Sequence, residues 1–263
     1  MSNTRDTTPV NDDPLVSCVC VTREKPAQLR RAITCFDEQD YANRELVVVF
    51  EDDDEETADV LASLTASHGS IRIIKVPSEP KLTLGQLRNI SIDQSVGEFF
   101  CQWDDDDWYH GERISRQVRA AISNARDACL LTNWIIFDEV SRQAYHSNFR
   151  LWEGSILCRK SVWSDGLTYP AIPRSEDNVF VDQLVGRVAI FPLVMTGLYI
   201  YTAHRNNTWP RAHFEEIFLH SQRLSTDATR LVETILFGEM SHADASAELR
   251  KAWFLRGLDY FPR

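Results

Sequence analysis

Gly97-Glu98-Phe99-Phe100-Cys101-Gln102-Trp103-Asp104-Asp105-Asp106-Asp107-Trp108-Tyr109 is the stretch around which the chain is organised. It opens as an apolar run of strand length and ends in four consecutive carboxylates between two tryptophans. Four acids in a row repel one another, so a fold gains little by setting them at the end of a buried strand unless a cation or a cationic ligand neutralises them. Oxygen donors two residues apart in a turn can face one divalent ion, and such ions keep open positions for the phosphates of a substrate. The alternative is a solvated acidic turn, as acidic runs by themselves usually are. The apolar strand and the flanking aromatics weigh against it.

Outward from this stretch, strand patterns alternate with helix patterns. Residues 16–21 read as a strand, followed by Thr22-Arg23-Glu24-Lys25-Pro26 and a helix with Leu29, Ile33 and Phe36 on one face. Residues 45–50 repeat the unit, ending in Glu51-Asp52-Asp53-Asp54-Glu55-Glu56 before a helix through Val60, Leu61 and Leu64. Residues 71–76 form a third strand, Leu84 to Ile90 open a third helix, and 99–103 form a fourth strand. This alternation implies an α/β fold with a Rossmann-like, doubly wound, mostly parallel sheet covered on both faces. In such sheets ligands bind beyond the carboxyl ends of the strands. Thr22-Arg23, Glu51 to Asp54 and Asp104 to Asp107 all fall there.

The later half changes character. Residues 129–137, 155–159 and 193–202 read as strands with longer connections holding Trp152, Trp163, Tyr169, Pro170 and Pro173. Aromatics in such loops either join the core or face a cleft where a sugar or apolar acceptor could sit. From Trp209 onward the pattern is helical, with Phe214, Ile217, Phe218 and Leu224 on one face, and Leu231, Ile235, Leu236, Leu249, Trp253 and Leu258 on another. The expected organisation is a loose polar tail over 1–13, an α/β domain over 14–208 and a C-terminal helical extension over 209–263.

Composition removes several classes. A 263-residue chain with 43% hydrophobic and 25% charged residues is ordinary globular protein. A net charge of −11 argues against nonspecific nucleic-acid binding; Arg113, Arg116 and Arg119 are expected to line the exposed side of a helix. The six cysteines show no C-x-x-C pair and no zinc spacing, so they read as reduced and buried. No signal-peptide pattern opens the chain, and no apolar run reaches the roughly 18 residues of a membrane span, so the expected location is cytoplasmic, with peripheral membrane contact left open.

The order of these motifs, with Gly85 to Arg88-Asn89, Glu176-Asp177 and Tyr201-Thr202-Ala203-His204-Arg205-Asn206-Asn207-Thr208, resembles the family 2 glycosyltransferases of the GT-A fold over residues 14–208. The resemblance implies a metal-dependent, inverting transfer of a sugar from a nucleotide donor, most often UDP-linked, to an acceptor hydroxyl. Asp104 and Asp106 would form the D-x-D pair, the first contacting ribose or metal and the second the metal. His204 would be a further ligand, which suits manganese better than magnesium. Thr22, Arg23, Glu51, Arg88, Asp104 and Asp105 would bind the donor nucleotide. Glu51 stands where the family more often has the aspartate that meets the uracil ring, and Phe50 precedes it where a second aspartate is common. Asn89 would support a local loop. Asp177 would be the catalytic base, although Glu176-Asp177 could equally cap the helix through Val179, Phe180 and Leu184.

By the same analogy the acceptor is a saccharide, glycolipid or peptide, the setting bacterial polysaccharide or glycolipid assembly, and self-association is left open. A catalytically silent nucleotide-sugar-binding module of the same fold is the rival from another class. A nucleotidyltransferase would need glycines after the first strand, and 22–26 has none. An EF-hand would need a D-x-D-x-D-G loop, which neither acidic run supplies.

Overall fold

The computed structural model describes residues 13–65, 69–172 and 174–252. Residues 1–12 of the expected 1–13 tail, Pro173, and the helical-face residues Trp253 and Leu258 lie outside them.

The first half follows the periodicity. Strands β1 (Val16–Val21), β2 (Arg44–Glu51), β3 (Ile71–Val76) and β4 (Phe99–Gln102) are joined by helices α1 (Pro26–Asp37), α2 (Glu55–Thr65) and α3 (Leu84–Asp93). β1 pairs in parallel with β2 and β4, and β2 with β3. Pro26 opens α1, where its missing N–H costs no helical bond, and the helix buries Leu29, Ile33 and Phe36. Thr83 and Gln86 close a capping box on α3.

After β4 come β5 (Trp108–Tyr109), α4 (Arg113–Ser123), β6 (Ala128–Leu131), β7 (Ile135–Asp138), β8 (Gln143–His146), β9 (Leu157–Arg159), α5 (Lys160–Ser164), α6 (Glu176–Leu184), β10 (Ile190–Leu193) and β11 (Tyr199–Ala203). The chain then runs through α7 (Arg211–Leu219), β12 (Gln222–Arg223), α8 (Thr226–Leu236) and α9 (His242–Lys251). One sheet has seven strands in the order β10-β6-β9-β4-β1-β2-β3, parallel except for β9. A second, five-stranded sheet has the order β12-β8-β7-β11-β5.

Two expected strands are divided. Residues 129–137 split into β6 and β7 at Thr132 to Trp134, and 193–202 split between the end of β10 and β11. In each case the first part stays in the large sheet, where β10 pairs with β6, and the second crosses to the small sheet, where β11 pairs with β7. A strand that changes sheets stays largely apolar throughout, so periodicity alone reads it as one run. Within 155–159 only β9 is extended, after a 3-10 turn at Glu153–Ser155. Pro192 is accommodated because β10 is the edge of its sheet.

Arg113 is not on an exposed face. It lies four residues before Gln117, on the α4 face that also buries Ile114, Val118 and Ala121, and is itself fully buried. Its guanidinium sits 5.1, 4.4 and 5.0 Å from the ring centres of Trp103, Tyr109 and Tyr199, and donates to the Gln102 carbonyl at 2.9 Å. Ring faces thus hold the cation where water cannot. Arg116 pairs with Glu112, and Arg119 is exposed.

The C-terminal helices pack on the main core: Phe214, Leu224, Val232, Ile235, Leu236 and Leu249 share one apolar cluster with β1 and β2 residues. Leu224 follows β12 rather than lying on a helix, and β12 extends the small sheet at β8. Helix α9 grips the segment after the acid run. His242 Nε2 lies 2.8 Å from the Tyr109 carbonyl, and His110 Nε2 lies 2.9 Å from the Ser246 carbonyl. No described helix is long and apolar enough to cross a membrane. All six cysteines are unpaired and buried.

Candidate active site

A cleft of about 460 Å³ opens at the carboxyl ends of β1, β2 and β4, with residues of the small sheet and of α7 on its other wall. Thr22, Arg23, Glu51, Arg88, Asp104, Asp105, Asp106 and Asp177 line it. His204, just past β11, reaches it through Asp106. The topology therefore gathers every expected site residue around one cavity.

The acid run leaves β4 as a turn, so its carboxylates diverge. Asp104 accepts from Arg88 at 2.9 Å and from Gln102 Nε2 at 2.9 Å. Asp105 accepts from Lys25 Nζ at 3.1 Å. Asp106 Oδ2 meets both Lys25 Nζ at 2.6 Å and His204 Nε2 at 2.9 Å. Asp107 turns away from the cleft into the core, where it accepts from the Tyr199 hydroxyl at 2.5 Å and the Thr202 N–H at 2.8 Å. It pins β11 to the acidic turn and takes no part in the cavity wall.

Burial and the neighbouring Asp106 push Asp105 up to about 7, against the pull of Lys25. Burial likewise raises Asp107, with repulsion from Asp106 and Asp104 added. Burial also opposes ionisation of Asp106, but the His204 bond and the Lys25 charge outweigh it and hold that carboxyl below its ordinary range. Of Asp105, Asp106 and Asp107, Asp106 is the one whose charged form its surroundings favour.

At the end of β2, Glu51 accepts from Arg23 at 2.5 Å and from Lys81. Its other oxygen, Oε1, is buried without a partner. Buried polar atoms are seldom left unpaired, so an unpartnered acceptor in a cleft wall marks a position for a ligand donor.

Arg88 is 6% exposed, not a solvated helix arginine. Its Nε lies 3.2 Å from Glu176 Oε1 while NH1 holds Asp104, so one guanidinium ties the acidic turn to α6. Gly85 makes this approach feasible: a Cβ there would lie 2.2 Å from the Pro170 carbonyl oxygen and 3.2 Å from Glu176 Cβ. Asn89 braces the same loop, donating to the Tyr169 carbonyl at 2.8 Å and accepting its N–H at 3.0 Å. Ser175, at φ +62°, turns the chain into α6. Glu176 is then drawn inward to Arg88, and Asp177 is left at the cleft wall with Oδ1 accepting the Asn178 N–H at 2.9 Å.

Of the expected aromatics, Trp152 lines the cleft. Trp163 and Tyr169 belong to a core cluster with Phe180. The cleft also uses residues that pattern reading passed over. Trp134 packs at a tilt against Trp152 at 4.4 Å and stacks on Tyr201 at 5.0 Å. Lys25 precedes Pro26 at the start of α1, and nothing about a lysine in a loop announces that it will meet acids some eighty residues later.

Among the described residues no group of three or more His, Cys, Asp or Glu side chains is gathered closely enough to hold a metal ion by itself. Asp106 and His204 nevertheless bring one oxygen and one nitrogen donor together at the cleft, and a cation, the Lys25 ammonium, already sits on that oxygen. Such a donor pair fits a divalent ion whose remaining positions come from a diphosphate and water.

A model of glycosyl transferase family 2 matches residues 17–186. The chain belongs to glycosyl transferase family 2. It is 32% identical over 88 residues to the amylovoran biosynthesis glycosyltransferase AmsB of Erwinia amylovora, a match covering 33% of this chain and 29% of that protein. The match thus spans under a third of that relative's length. Among solved structures, S. aureus TarS 1-349 in complex with UDP superposes with a TM-score of 0.61 at 16% identity, over 77% of this chain and 69% of that one. The mannosyltransferase PcManGT from Pyrobaculum calidifontis, in complex with GDP-Man and Mn2+, gives 0.60 at 12% identity over 92% and 74%. These likenesses are of fold, and the fold of this family 2 domain is GT-A.

Proposed function

We propose that this family 2 glycosyltransferase moves a sugar, with inversion, from a UDP-linked donor to an acceptor hydroxyl, with manganese or magnesium bound at Asp106 and His204. The observation that carries the reading is the convergence on one cleft of the paired Asp106 and His204, the unpartnered Glu51 Oε1 and the helix-start Asp177. TarS with UDP and PcManGT with GDP-Man and Mn2+ lend support by fold.

In this reading Glu51 Oε1 accepts the N–H of the base, with Thr22 beside it. Arg23 holds Glu51 in place, Asp104 and Asp105 orient the ribose side of the donor, and Arg88 fixes Asp104. The divalent ion, when bound, compensates charge growing on the departing diphosphate. Asp177 takes the acceptor hydroxyl's proton as that oxygen attacks the anomeric carbon from the face opposite the nucleotide. The bond to the Asn178 N–H fixes its carboxylate for this task. Trp134, Trp152 and Tyr201 give the cleft an aromatic lining compatible with a saccharide acceptor. AmsB, named for amylovoran biosynthesis, supports a polysaccharide setting. Nucleotide-sugar chemistry and unpaired buried cysteines support a cytoplasmic location.

The test is calorimetric titration of UDP, GDP and dTDP with manganese and with excess chelator, followed by UDP-release assays on a panel of UDP-sugars with saccharide acceptors. Asp177→Asn is expected to keep manganese-dependent UDP binding and lose roughly 10²–10⁴-fold in turnover. Wild-type turnover in that variant would remove Asp177 as the base. Failure of every nucleotide to bind would put the silent-module reading first.

A further inference from the structure

The oxygen assigned to the metal is already engaged. Lys25 Nζ lies 2.6 Å from Asp106 Oδ2 and 3.1 Å from Asp105 Oδ1, and His204 Nε2 lies 2.9 Å from that same Oδ2. An ammonium and a divalent ion cannot share one carboxylate oxygen at such distances, because they repel each other more strongly than two unit charges would. A metal that binds through Oδ2, the oxygen His204 faces, must displace Lys25.

The surroundings make that displacement feasible. Lys25 is the N-cap residue of α1 but contributes no capping side chain, so moving its ammonium leaves the helix start untouched. Its side chain is 23% exposed at the cleft and rides on a flexible four-carbon stem. Of the other cations lining the cleft, Arg88 bridges Asp104 and Glu176, Arg23 and Lys81 hold Glu51, Arg150 pairs with Glu153, and Arg174 is exposed. Lys25 is the cation set directly on the metal position. An incoming diphosphate would offer its ammonium a replacement anion within the same cavity.

We propose that Lys25 is an internal counter-ion that holds the metal position closed in the donor-free enzyme and transfers to the donor's diphosphate when the metal enters. This rests on the metal and donor reading above. It makes metal and donor binding reciprocal: each removes the obstacle to the other, so manganese alone binds weakly and manganese with nucleotide binds well. It also casts Lys25 as a positioning residue that keeps the Asp106 carboxylate compensated between turnovers.

The experiment is titration of the full chain with manganese, followed by the paramagnetic signal of the free ion, without and with UDP. Wild type, Lys25→Met, Lys25→Gln and Lys25→Met/Asp106→Asn are compared after thermal unfolding has verified that each is folded. Without UDP, both Lys25 variants are expected to bind manganese tighter than wild type by on the order of tenfold, the size of a typical coupling between sites. With UDP that advantage shrinks or reverses, because the diphosphate has lost a partner. Adding Asp106→Asn should abolish the gain. Unchanged manganese affinity in both Lys25 variants overturns the inference even where UDP and manganese bind normally. A gain that survives Asp106→Asn overturns it too, since the ion then sits elsewhere. UDP binding that ignores manganese in every variant refutes the metal reading itself, and absent UDP binding refutes the donor reading, so the failures are distinguishable.

Discussion

Replacing Arg88 by methionine tests the joint between the acidic turn and α6. Arg88 spans Asp104 at 2.9 Å and Glu176 at 3.2 Å, with side-chain exposures of 7% for Arg88, 23% for Asp104 and 5% for Glu176. Methionine keeps an aliphatic stem and removes the guanidinium, with its 5.8 Å approach to the Tyr169 ring. Breaking a buried pair by deleting one partner costs about 3–5 kcal/mol. Asp104 is partly solvated and retains Gln102 Nε2, so most of the loss falls on Glu176, and about 3 kcal/mol at pH 7.5 is expected. For a chain of this size that lowers the melting temperature by about 6–12 °C.

The pH dependence identifies the cause. Burial already raises Glu176 above its ordinary value while Arg88 pulls it down; without Arg88 it rises further. A carboxyl whose folded pKa exceeds its unfolded one binds a proton in the folded state first, so its unfavourable contribution grows as pH rises through that window and vanishes below it. The variant's deficit should therefore shrink between pH 7.5 and pH 5, by about 1.4 kcal/mol for each unit of additional shift. Urea unfolding at both pH values, followed by tryptophan fluorescence, measures it. A deficit below about 1 kcal/mol at pH 7.5, or one of equal size at both pH values, would refute the charge argument, since lost packing is indifferent to pH.

Two further perturbations test the frame of the site. Burial pushes Glu153 up to about 7 against the pull of Arg150, so between about 4.5 and 7 the folded chain holds a proton that the unfolded chain has released, and stability falls across that window as pH rises. Glu153→Gln should flatten that fall, worth up to about 3 kcal/mol, in melting curves from pH 5 to 8; an unaltered slope would show that another group causes it. Gly85→Ala places a methyl 2.2 Å from the Pro170 carbonyl oxygen. It should cost about 1–3 kcal/mol and weaken UDP binding by displacing the loop before Glu176; wild-type stability would mean that the loop yields freely.

The sequence by itself determined the first half of the architecture, because each strand there is an apolar run bounded by polar or turn residues and each helix carries a one-sided stripe. Val16–Val21, Arg44–Glu51 and Ile71–Val76 lie within a residue of their expected positions for that reason. It also determined part of the cleft, since a parallel sheet brings the carboxyl ends of its strands to one edge. Thr22, Glu51 and Asp104 to Asp106 needed only that rule.

Only the tertiary structure decided what pattern does not encode. Residues 129–137 and 193–202 change sheets mid-run, and burial on both sides of each crossing hides the break. Asp104, Asp105, Asp106 and Asp107 are one letter repeated, yet a turn sends Asp107 to Tyr199 and Thr202 while Lys25 and His204 meet on Asp106. Arg113 and Arg119 are likewise the same residue on one helix, the first sunk among three aromatic rings and the second in water. The chain's local periodicities fix which elements form. The partners of each charge are fixed by the packing of distant segments, and those partners distinguish a carboxylate that faces the cleft from one that pins a strand.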